Sequence, residues 1–136
     1  MRLATLFLLV STAAVAALPR STAPAGAHLY FISPQDGAVV SSPVTVRFGL
    51  RGMGVAPAGV PLEHTGHHHL LVDVEPPSFD MPIPADERHI HFGRGQTEAA
   101  IELAPGVHRL QLLLGDHLHI PHDPPVLSET ITITVK

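Results

Sequence analysis

Gly66–Val74 reads GHHHLLVDV, and its alternation decides how the rest of the chain is read. Successive side chains of an extended strand point to opposite faces. His68, Leu70, Val72 and Val74 then share one face, and His67, His69 and Asp73 share the other. An apolar residue at every second position predicts a strand packed against a partner layer. The same period recurs in Val44–Leu50 (VTVRFGL), with Val44, Val46 and Phe48 together, and in Glu129–Val135 (ETITITV), with Ile131, Ile133 and Val135 together. His28–Ser33, His89–Phe92, Thr97–Leu103 and Val107–Leu114 complete a set of seven. Fourteen prolines and eleven glycines punctuate these runs, and no helical period is sustained. Short strands separated by turn signals predict an all-β fold, an immunoglobulin-like antiparallel sandwich of about seven strands, with a small barrel as the alternative.

The chain opens differently. Met1-Arg2 is followed by the uncharged apolar run Leu3–Ala17 and then by small residues. That is the layout of a secretory signal peptide, and the run is short for a membrane span. We therefore expect a signal peptide over 1–17, a flexible linker over 18–27 and one domain over 28–136, in the periplasm or secreted. Loss of the leader removes Arg2, leaving seven basic residues against twelve acidic ones, a formal charge of −5 with histidines neutral. This is no basic nucleic-acid footprint. The absence of cysteine rules out disulfides and thiolate ligands. With no Trp and one Tyr, a sugar- or base-stacking platform is poorly supplied.

Histidine is the excess. The chain has eleven, where ordinary usage gives roughly three. Three His-x-His pairs occur, His67/His69, His89/His91 and His117/His119, and on a strand each pair shares a face. All three pairs point away from the expected core. His68 and His108 alternate with core residues instead and read as core histidines. In a sandwich the third and sixth strands are antiparallel neighbours, which brings His67 and His69 toward His117 and His119. His64, His91 and His122 fall in or beside loops at that same end.

Clustered imidazoles without thiolate suit Cu(II) or Zn(II). The candidate ligands are His67, His69, His117 and His119, then His91 and His122. Asp73, Asp116 and Asp123 are candidate ligands, or acceptors that orient an imidazole. Arg94, Gln96 and Asp116 are expected at the rim, and Pro121, Pro124 and Pro125 restrict the loop after His119. Catalytic patterns are poorly matched. There is no H-E-x-x-H and no G-x-S-x-G. Six residues separate His91 from Glu98, too many for a cupin, and the disulfide partners of a copper-zinc superoxide dismutase are missing. The competing reading is a metal-free envelope interaction module whose histidines gain charge together as pH falls through about 6.5.

Two resemblances add to this. The stretches YFISPQDGAVVSSPVTVRFGLRGMGVAPAG, TGHHHLLVD, HIHFGRGQTE and PGVHRLQLLLGDHLHIPHDPPVLSETITITVK resemble an exported bacterial domain-of-unknown-function family, number 4399. Some of its members carry a rod shape-determining label. The resemblance implies export and a compact β domain; it brings no activity and no functional residue. The opening HLYFISPQDGAVVSSP is similar to the start of CopC-type periplasmic copper-binding sandwiches. Processing after Ala27 would, on that likeness, leave the amine and imidazole of His28 as a chelate.

Overall fold

The computed structural model describes residues 13–136; most of the expected signal peptide, residues 1–12, lies outside them. Nine strands form: β1 (His28–Ser33), β2 (Val39–Val40), β3 (Val44–Arg51), β4 (Gly54–Val55), β5 (Thr65–Val72), β6 (His89–His91), β7 (Glu98–Ile101), β8 (Gly106–Gly115) and β9 (Ile131–Val135). The seven expected strands are all present, and β2 and β4 are two-residue additions. Among the described residues there is no helix long and apolar enough to cross a membrane.

The strands make two sheets, an all-β sandwich as expected. One has the order β1-β3-β7; the other runs β2-β9-β8-β5-β4, with β6 also paired to β5. The pairs are antiparallel except the short β2/β9 and β4/β5 contacts. Alternation supplies the layer between the sheets. Val44, Val46 and Phe48 of β3 meet Leu70 and Val72 of β5, Leu110, Leu112 and Leu114 of β8, and Ile131, Ile133 and Val135 of β9. Burying such side chains stabilises by about 1.5–3 kcal/mol each relative to exposure, before chain entropy is counted.

The other face of β5 and β8 is not open to water, which corrects the simple in/out reading. Leu71 and Leu113 form a second small core with Ile83, flanked by Val74, Phe79 and Leu127. Every residue of β5 from Gly66 to Val72 is buried. The Pro-rich connection after β5 folds back over this face, tied by the Ile83 amide donating to the His119 carbonyl at 2.8 Å. His67 and His69 thus point away from the inter-sheet core, as expected, but into a second covered layer.

Arg20–Ala23, which fall in the expected linker, lie along the segment after β8. Thr22 bridges Asp123, and the Ala23 amide donates to the Asp123 carbonyl at 3.0 Å. Arg20 Nε donates to the Pro121 carbonyl at 3.1 Å, its guanidinium also reaches the His122 carbonyl, and Ala23 packs into the core.

Candidate metal centre

Backbone register does most of the assembly. On β5, His67 stands opposite Gly115 of β8, and His69 opposite Leu113. On its other edge β5 pairs with β6, where His69 stands opposite His91. Pairing of the fourth expected strand with the third is therefore what delivers His91. The fourth imidazole comes from a loop. β8 ends at Gly115 and the chain turns at Asp116, whose carboxylate accepts the Leu118 and Ile120 amides at 2.9 and 3.0 Å. His119 sits in that turn with φ of 65° and swings back toward β5.

Four rings converge. His67, His69, His91 and His119 each offer one nitrogen, and the four nitrogens lie within 4.8 Å of one another. Ring centroids are 4.7 Å apart for His67/His69, 4.9 Å for His67/His119 and 4.8 Å for His91/His119. His67 Nε2 and His119 Nδ1 approach to 3.1 Å, a hydrogen bond if one carries the proton. Among the described residues, buried His67 Nδ1, His69 Nδ1 and His91 Nε2 have no hydrogen-bond partner. A buried polar atom left unpaired costs about 1–3 kcal/mol, so three in one place call for a ligand.

Glycine makes the room. A Cβ on Gly115 would stand 2.7 Å from His69 Cε1, and one on Gly93 would stand 2.3 Å from His91 Cε1. Neither glycine is at positive φ, so both are needed for space and not for backbone conformation.

The electrostatics favour the neutral form of His67, His69 and His91. Burial, and then the neighbouring His119 and His91, lower His67 to about 4. Burial and the same neighbours, His67 first among them, lower His69 further, to about 2. His91 is lowered by burial and by His119. Neutral imidazole is the form that ligates a metal. Burial opposes the charge on Asp116, but hydrogen bonds from Ser21 Oγ (2.7 Å) and the Ile120 and Leu118 amides outweigh it and keep its carboxyl below the usual range.

The other expected site residues go elsewhere. His117 and His119 do not share a strand face, because β8 has already ended. The His117 carbonyl accepts the Gly59 amide, and its ring lines a separate surface cavity with His64, Glu63 and Asp116. His122 is buried and donates from Nε2 to the Thr65 carbonyl at 3.0 Å. Asp73 binds His108 Nδ1 and the Arg109 amide; Asp123 lies 3.8 Å from Arg20. Asp116 thus orients the His119 turn and does not touch the four rings by hydrogen bond. Gln96 Oε1 accepts the Arg94 amide, closing the turn after β6. His28 stacks on Tyr30 of β1 and is not one of the four.

His68 is a core residue, as expected, tilted against Phe48, but neither of its nitrogens is partnered. His108 is only half-buried and lies outside the core, contrary to the expectation, because its ring is bonded to polar partners at the surface. Nδ1–H donates to Asp73 and Nε2–H to the Ala104 carbonyl, both at 2.7 Å, and these contacts raise its pKa. Gly93, Gly115 and Ser21 were not singled out from the sequence. A glycine directly opposite a histidine, as Gly115 is to His67, was the available signal for one of them.

A family model described as a domain of unknown function, DUF4399, matches residues 46–136. The chain belongs to that family. No curated protein and no solved structure matches it. The DUF4399 match contains all four converging histidines, together with Gly93, Gly115 and Asp116. It leaves out Arg20–Ala23 and the opening residues 28–43, for which no likeness to CopC-type sandwiches is shown.

Proposed function

We propose that this DUF4399 protein is an exported metal-binding domain that holds one Cu(II) or Zn(II) on His67, His69, His91 and His119. The observation that carries the reading is four converging imidazoles, three with unpartnered buried nitrogens, meeting on a face roofed by its own loops. The donor set is all nitrogen, which suits both ions; a tetrahedral arrangement favours Zn(II) and a tetragonal one Cu(II). Two nitrogens on one metal at about 2.0–2.1 Å stand at most about 4.2 Å apart. The set therefore has to draw in by roughly half an ångström for opposite nitrogens of a tetragonal ion and by more than an ångström for a tetrahedral one, with His91 and His119 on a short strand and a loop. A pH-responsive histidine surface has less behind it, because these rings face inward and burial resists their protonation.

Titration of the full chain, free of any histidine tag, with Cu(II) and Zn(II) by calorimetry tests the reading. The expected result is one ion per chain with a submicromolar dissociation constant. Four-ligand structural zinc sites are worth about 10–16 kcal/mol, so roughly 3 kcal/mol attaches to each ligand. His91→Ala should then weaken binding about a hundredfold, while His117→Ala leaves it unchanged. Weak, non-stoichiometric uptake equal in all three proteins overturns the assignment.

A further inference from the structure

We propose that the metal keeps one coordination position open toward a neighbouring cavity, and that this position takes a small monovalent anion. The proposal rests on the metal-binding reading above. A cavity of about 290 Å³ is lined by His69, His91 and His119 together with Pro82, Ile83 and Ala85. His67 does not line it. Three of the four rings thus present one side to an open space, and the fourth closes the back.

Charge selects the ligand. Four neutral imidazoles leave both positive charges of the ion uncompensated in a largely buried place, where an unbalanced charge is costly. The converging group contains no carboxylate, and neither does the cavity lining. Asp116 is the acid that acts on His67, but its oxygens are already held by Ser21 Oγ and the Leu118 and Ile120 amides. An anion from solvent supplies the missing charge. Apart from the imidazoles the lining is Pro82, Ile83 and Ala85, with no arginine or lysine to grip a polyanion. A small monoanion fits; a phosphate ester does not. The volume equals roughly ten waters' share of the liquid, so the donor can carry a few further atoms.

The probe is azide on the Cu(II)-loaded full chain, followed through the azide-to-copper charge-transfer absorption. The expected result is a saturable band with one azide per copper. Ala85→Phe, at an exposed loop position on the cavity wall, should raise the azide dissociation constant at least tenfold with copper stoichiometry unchanged. Ala85→Leu should do the same to a smaller extent. One copper per chain with no azide band, or with a band that both variants leave unaltered, overturns the open position and leaves the metal site standing. Failure to bind copper at all overturns the metal site and this inference with it.

Discussion

Gly93→Ala adds a single methyl group outside the four rings and should nonetheless disable one of them. The new Cβ would stand 2.3 Å from His91 Cε1 and 2.7 Å from His91 Nε2. Ordinary contact begins near 3.4 Å, so the ring has to retreat by about 1.1 Å, whereas metal–nitrogen bonds tolerate about 0.2 Å. His91 is only partly covered, so its ring can swing toward solvent without disturbing β6. The backbone itself accepts alanine, and loss of glycine's unfolded-state freedom even favours the fold by about 0.4–1 kcal/mol. The variant should bind Zn(II) about a hundredfold more weakly, like His91→Ala, with an unaltered or slightly raised unfolding midpoint. The double variant should be no weaker than His91→Ala alone, since the methyl group acts only through that ring. Competition titrations on the three proteins and the parent close this cycle. Parent-like affinity in Gly93→Ala, or losses that multiply in the double variant, would refute the reasoning.

Further outcomes follow from the same geometry. Zn(II) at a hundred times its dissociation constant stabilises by about 2.7 kcal/mol, which should raise the thermal midpoint of the full chain by roughly 10 °C in scanning calorimetry. His68, lowered by burial from 6.5 to about 4, binds its proton more readily unfolded than folded, so stability is lost as pH falls from 6.5 toward 4. By pH 5 this amounts to about 2 kcal/mol, and urea unfolding at pH 7 and pH 5 should show His68→Leu losing that much less than the parent. His108 has the opposite sign: its raised pKa contributes stability below about 6.5 that fades as pH rises through the folded value. Asp73→Asn should accordingly destabilise more at pH 6 than at pH 9 in the same assay. Ser21→Ala removes a hydrogen bond to the buried Asp116 and should lower stability by about 1–2 kcal/mol while weakening Zn(II) binding through the His119 turn.

The strands were legible because period-2 patterns survive wherever one face meets a continuous core, as in VTVRFGL and ETITITV. His67, His69 and His91 were legible for the same reason, since register converts spacing into position. His117 was misplaced where that logic stops. Asp116 ends the strand, and beyond it side-chain direction is set by a turn whose φ of 65° at His119 no alternation announces. The roof over the site was hidden too. Glu75–Arg88 has the composition of a Pro-rich connection, yet Ile83 and Phe79 turn inward to meet Leu71 and Leu113. Arg20 and Ser21 gave no periodic signal because a few hydrogen bonds to loop carbonyls and one carboxylate hold them.

β5 carries the inter-sheet core on one side and two of the four converging histidines on the other. A slip of one residue against β8 would turn every side chain to the opposite face. His67 and His69 would then be pressed between the sheets, and Leu70 would stand where imidazoles should meet. The error that empties the binding site is thus the same error that ruins the packing, and such a chain is sorted out by its own instability. Proofreading of the site is done by the hydrophobic effect before any ion arrives.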